Sequence, residues 1–230
     1  MLQQLWGLEG PARPGPKPTF HISEIGAAAV RLADAGGLAA VSMSKVAAEL
    51  GFTTMSLYRY VEAKDDLYVV MLDEAFGDPA PVDESLDWRA QLTAWAEHFR
   101  ESLVRHPWVL QVPVLEAPLS PRQLDWMEAA LLAFGSTPLT PNDQLSSMML
   151  VNIYVRGTVQ LTTHLRAGDE ANQLYSRRLR MLASPDRYPT IAAGLAAPDE
   201  LDVDYAGDDF QAGLDVVLDG IQQLIGRRKS

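Results

Sequence analysis

The chain of 230 residues contains no cysteine, which excludes disulfides and thiolate metal sites and suits a reducing compartment. Its apolar residues, 47% of the total, never gather into a run long enough to cross a bilayer. The opening MLQQLWGLEG also lacks the basic and then apolar segments of a secretory leader, so a cytoplasmic protein without a membrane partner is expected. Glycine-rich phosphate loops and a nucleophile elbow are missing. The four histidines, His21, His98, His106 and His164, have no metal-ligand spacing with one another. No enzymatic activity, no cofactor and no metal are therefore expected.

Positive charge is scarce as well: 19 Lys and Arg stand against 30 Asp and Glu, a net charge of −11. Taken as an average this disfavours nucleic acid, whose binding is dominated by basic side chains. The distribution reverses the conclusion for one region. Residues 1–64 hold six basic and five acidic groups, net +1, while 65–230 hold 13 and 25, net −12. Only the amino-terminal quarter is electrostatically fit to approach DNA.

Within that quarter lies the stretch VSMSKVAAELGFTTMSLYRYVEAK, Val41 to Lys64. Ser42 can cap a short helix whose inward positions are Val46, Ala47 and Leu50, and Gly51 can end it in the left-handed conformation. A second helix is predicted over Thr54 to Val61. Leu57 and Val61, four apart, anchor one face of it and leave Thr53, Thr54, Met55, Ser56, Tyr58, Arg59 and Tyr60 largely outward. Hydroxyls, aromatic rings, a thioether and one guanidinium suit the edge of a major groove, where each finds phosphates or base edges. Helix, glycine turn and helix together form a helix-turn-helix pattern.

The run from Ile22 to Phe76, and especially AAELGFTTMSLYRYVEAKDDL, resembles the DNA-binding domain of TetR-family transcriptional repressors. Leu50-Gly51, Leu57-Tyr58, Tyr60-Val61 and Lys64 followed by acids and Leu67 all sit at the family's spacing. The resemblance implies an all-α chain: an amino-terminal three-helix helix-turn-helix domain followed by a larger helical domain for ligand binding and dimerisation. It also implies that Lys64 and the opening of its helix contact the DNA backbone, and that the last two long helices of each subunit pair into a four-helix bundle. The expected partners are a palindromic double-stranded operator, a second copy of the chain, and a small, largely apolar effector. Ser42, Ser44, Lys45, Thr53, Thr54, Met55, Ser56, Tyr58, Arg59, Tyr60 and Lys64 are the candidate DNA contacts. A dimeric helical adaptor that binds ligand or protein without DNA is the alternative reading.

Around this stretch the chain divides into an arm over 1–18, a DNA-binding domain over 19–77 and a larger domain over 86–230. PARPGPKP, residues 11–18, has four prolines in eight residues and favours an extended arm carrying Arg13 and Lys17. Ile22 to Ala35 has helical spacing. Ala63 occupies the cap position of the next helix, which leaves that cap to another group. GDPAPVDES breaks the periodicity and serves as the linker.

Beyond the linker, Trp88, Leu92, Trp95, Ala96, Phe99 and Leu103 form an aromatic-rich stripe. Leu124, Met127, Leu131 and Leu132 mark an inward face on a helix opened by Ser120-Pro121. The longest helix, about Asn142 to Ala167, carries apolar groups on two sides. One side would meet its own core and the other a second subunit. Trp95, Phe99, Trp108, Met127 and Met149 are the candidate walls of an effector pocket, with Asn152 or Arg156 orienting the ligand. The alternative for that polar pair is a buried partner such as Glu97 or Glu101. Asp169 to Ala183 reads as helical, DELDVDYAGDD as a solvated acidic loop, and Asp208 to Gly226 as a cleanly amphipathic terminal helix.

Overall fold

Every regular element is helical in the computed structural model, which describes residues 1–8, 21–113, 119–165, 177–196 and 208–229. The basic arm with Arg13 and Lys17, Thr19, most of the acidic loop and the first half of the helix expected from Asp169 lie outside the described residues. Two compact units divide the chain, residues 1–149 and 150–230.

The first unit is built on helix α2 (Ile22–Gly36) packed against α5 (Lys64–Phe76). Alanine dominates the buried face of α2, where Ile25, Ala28, Ala29 and Ala33 are sealed against solvent; Leu67, Val70 and Met71 answer from α5. Small side chains let two helices come close. At Gly26 the approach leaves little room: a Cβ there would lie 3.1 Å from both Cγ1 and the carbonyl oxygen of Val70. The start of α2 is closed by Glu24, whose carboxylate accepts from the His21 amide at 2.7 Å.

Short α1 (Leu2–Leu5) precedes it, and the Trp6 indole donates to the Leu119 carbonyl oxygen at 2.9 Å. After a 3-10 turn at Leu38–Ala40 come α3 (Met43–Glu49) and α4 (Thr54–Leu57). The same unit continues through α6 (Trp88–Arg105), a 3-10 turn at Pro107–Gln111, and α7 (Pro121–Leu132). Asp87 caps α6 by accepting from the Ala90 amide at 2.8 Å. Leu92, Trp95, Ala96, Phe99 and Leu103 are buried along it, as their spacing predicts.

The inward face of α7 differs from expectation. Trp126, Ala129, Ala130 and Ala133 are buried, whereas Leu124, Met127 and Leu131 are half-buried and Leu132 is 55% exposed. Both stripes have helical spacing, so hydrophobicity alone does not choose between them. Trp126 decides: its indole donates to the Gly77 carbonyl at 3.0 Å, while its own carbonyl accepts from the Trp95 indole at 2.9 Å.

The second unit holds most of α8 (Pro141–Leu165), whose first turns belong to the first unit, then α9 (described over 177–182), α10 (Pro189–Ala196) and α11 (Asp208–Lys229). The terminal helix follows its stripe, with Phe210, Leu214, Leu218, Ile221 and Ile225 buried. Tyr154 of α8 donates from its hydroxyl to the Phe210 carbonyl of α11 at 2.8 Å. Along α8 the buried row is Met148, Val151, Val155 and Val159, and the outer one is Leu145, Met149, Leu150, Ile153 and Leu161, each 42–60% exposed.

Candidate nucleic-acid interface

The Ser42 hydroxyl accepts from the Lys45 amide at 3.3 Å and lies 3.1 Å from the Ser44 hydroxyl, closing the first turn of α3. At the other end Gly51 takes φ +73°, its amide donates to Ala48 at 3.1 Å, and the Phe52 amide donates to Ala47 at 2.7 Å. These two bonds satisfy the last carbonyls of α3 and reverse the chain within a few residues. Thr53 then caps α4, accepting from the Ser56 amide at 3.3 Å. Ser42 and Thr53 therefore hold the two helices in shape with the same oxygens that could otherwise reach a phosphate.

The reader helix is shorter than expected. Regular α-helix stops at Leu57, and a turn follows in which Tyr60 and Val61 both donate to the Leu57 carbonyl, at 2.9 and 3.2 Å. Leu57 and Val61 are nevertheless 0% exposed, and part of the expected outward set stands clear of the core. Met55 is 75% and Tyr58 44% exposed. Thr53 and Arg59 are exposed too, while Thr54, Ser56 and Tyr60 are half-buried. Ser44 and Lys45 on α3 are exposed beside them, as is Lys64, whose ammonium lies 5.3 Å from the Tyr68 ring centroid. Arg31 and Glu49 join α2 to α3 at 3.3 Å. Without a capping side chain at Ala63, the Asp66 carboxylate closes α5 by reaching back to the Glu62 amide at 2.9 Å.

Two polar clusters tie this head to the rest of the first unit, and neither is apparent from spacing. Asp34 of α2 accepts from the Trp108 indole at 2.7 Å and lies 2.8 Å from His106 Nδ1. A carboxylate in the last turn of a helix opposes the backbone dipole, and this is the one signal in the sequence that Asp34 has another task. At the end of α5, Arg122 of α7 gathers Asp73, Glu74 and Asp78: its amide donates to Asp73 at 2.9 Å, and its guanidinium to Glu74 at 3.0 Å and Asp78 at 3.2 Å. Burial works against the Arg122 charge, but the three carboxylates more than offset it and raise its pKa.

The candidate effector residues have separate fates. Trp95 and Phe99 are buried, their rings stacked at 5.1 Å, and Phe99 also meets Phe76 at 5.8 Å and Trp126 at 5.4 Å. Trp95 in addition lines a small cavity under the linker with Pro81, Val82, Leu86 and His98. His98 Nδ1 there accepts from the Ala80 amide at 2.8 Å. Trp108 is 2% exposed and committed to Asp34, Met127 is half-buried, and Met149 is 47% exposed. Asn152 and Arg156 are half-buried on α8, while Glu97 and Glu101, the expected partners, are exposed.

Comparison with known proteins supplies the rest. The model for "Bacterial regulatory proteins, tetR family" matches residues 25–71, and "Tetracyclin repressor-like, C-terminal domain" matches residues 80–225. The HTH-type transcriptional repressor DrrR1 of Streptomyces coeruleorubidus is 35% identical, over 99% of this chain and 87% of its own. An HTH-type transcriptional regulator of Saccharopolyspora erythraea is 30% identical over 86% of this chain and 81% of its own. In fold, ActR of Streptomyces coelicolor in complex with actinorhodin superposes with a TM-score of 0.78 at 24% identity, covering 91% of this chain and 100% of that one.

Proposed function

This chain belongs to the TetR family of bacterial regulatory proteins, and from that membership we propose that it represses transcription by binding a palindromic operator as a homodimer that a small-molecule effector releases. It is a transcriptional regulator and not an enzyme. The observation that carries the DNA-reading part is the split across α4 and the turn that follows it: Leu57 and Val61 are sealed inside while Met55, Tyr58 and Arg59 project outward. Arg59 can bridge two acceptors of guanine, Met55 can meet a thymine methyl, and Lys45 and Lys64 are placed for phosphates.

One such turn covers a few base pairs. Two copies about 34 Å apart would double the contact and require a two-fold operator. The outer row of α8, with Ile153 60% exposed and Leu161 55%, is the apolar surface offered to the second copy. No helix among the described residues is long and apolar enough to cross a membrane, in keeping with action on cytoplasmic DNA.

Release follows from a difference in affinity. An effector that prefers the arrangement with misplaced reader helices shifts the dimer off its operator, by no more than that preference. Asp34 with His106 and Trp108, and Arg122 with the end of α5, are the contacts through which the head would follow the body. ActR, the relative solved with actinorhodin, gives precedent for a bound small molecule in this fold. Sequencing the DNA that co-purifies with the protein and titrating the recovered fragment by fluorescence anisotropy tests the reading. Tight, salt-sensitive binding to a palindrome supports it, and equal affinity for unrelated duplexes contradicts it.

A further inference from the structure

Lys64 opens α5 at a place where a cation is poorly served. Backbone dipoles in the first turn of a helix favour negative charge, and Asp65 and Asp66 comply while Lys64 does not. Glu62, Asp65 and Asp66 all stand within two residues of it, so one exposed ammonium on a flexible stem is surrounded by carboxylates. An ammonium folded onto any of them would be lost to a phosphate.

The structure gives it a different resting place. Lys64 Nζ lies over the ring of Tyr68, 5.3 Å from the centroid. Tyr68 is on the same face one turn later, and helical side chains lean back toward the amino terminus, so its ring covers the turn that Lys64 begins. Lys64 is exposed and Tyr68 half-buried, so the ring is the better fixed of the two. An aromatic face attracts a cation without neutralising it, and the ammonium keeps its charge for another anion. Asp66 is meanwhile held on the backbone, accepting from the Glu62 amide at 2.9 Å.

We propose that Tyr68 is a positioning residue for DNA binding: its ring holds the Lys64 ammonium clear of the neighbouring carboxylates and presents it, already ordered, to a phosphate of the duplex. The inference rests on the DNA-binding reading above, in which Lys64 is placed for a phosphate, and adds the residue that keeps it there. The gain comes from pre-organisation, because a lysine ordered before the duplex arrives loses less freedom on binding. The ring is the working part, and the phenol hydroxyl is not needed.

The palindromic duplex recovered with the protein, titrated by anisotropy at several salt concentrations, tests it in the full-length chain and its variants. Lys64→Met removes the cation and should flatten the slope of log affinity against log salt by about one. Tyr68→Leu removes only the ring and should weaken binding by roughly 2- to 5-fold, the share of an exposed cation–π contact. Tyr68→Phe keeps the ring and should bind like the parent. In a Lys64→Met background, Tyr68→Leu should cost nothing further. Carbon-13-labelled lysine gives a check without DNA, since the chain has only four lysines. The ε-methylene protons of Lys64 should lie upfield under the ring in the parent and in Tyr68→Phe, and return to their ordinary position in Tyr68→Leu. Equal losses from Tyr68→Leu with and without Lys64 would assign the ring to packing and overturn the proposal. A Phe variant as weak as the Leu variant, or an unshifted Lys64 signal in the parent, would overturn it too. If Lys64→Met leaves affinity and slope unchanged, the phosphate contact falls and the proposal with it, while the reading of the operator by α4 stands. A parent with no preference for the palindrome over an unrelated duplex sinks both.

Discussion

Three consecutive side chains on one turn do opposite work. Leu57 is fully buried and Tyr58 and Arg59 reach outward, although all three lie within two residues of each other. Truncating Leu57 to alanine should cost roughly 2–5 kcal/mol of stability as a buried deletion. Arg59→Ala should leave the unfolding free energy within about 0.5 kcal/mol of the parent's and weaken operator binding by about 1–3 kcal/mol. Urea unfolding and anisotropy on the same samples separate the two effects. Equal loss of stability from both variants would contradict the division into packing and reading positions. This division is legible from sequence, because the anchors Leu57 and Val61, four apart, stay buried even though regular helix gives way to a turn between them.

Between elements, the helix-turn-helix depends on the glycine turn and the rest of the head on polar contacts that spacing does not reveal. The left-handed Gly51 and the caps Ser42 and Thr53 follow from residue type and position. The inward face of α7 does not, since two apolar stripes compete along it and the hydrogen bonds of Trp126 select one. Asp34 is a second such case. Asp34→Ala would leave the Trp108 indole, 2% exposed, without its acceptor, and should destabilise the protein by about 1–3 kcal/mol. Asp34→Asn retains an acceptor oxygen and should recover a good part of that loss in the same urea titration. Midpoints for both variants equal to the parent's would show that the Asp34 hydrogen bonds contribute nothing.

At the scale of the molecule, the charge gradient and the outer row of α8 matter most. The amino-terminal 64 residues carry net +1 and the remainder −12, so the chain can present only one end to a duplex. Ile153→Glu combined with Leu161→Glu should place two carboxylates on the surface assigned to the second copy. Light scattering should then report a single subunit at micromolar concentration, with circular dichroism unchanged. Operator affinity should fall on the order of 100-fold as bivalency is lost. A variant that remains dimeric would move the subunit interface elsewhere.

Local chemistry was sufficient to write the helices, the turn and the outward set of α4 into the sequence, since caps, glycine and periodicity act over a few residues and need no distant partner. Tertiary structure alone decided which stripe of α7 faces inward, and that Phe99 and Trp108 are spent on core stacking and on Asp34. Those outcomes depend on groups tens of residues apart finding one another, and the energy of a buried polar contact is set by its surroundings and not by its neighbours in the chain.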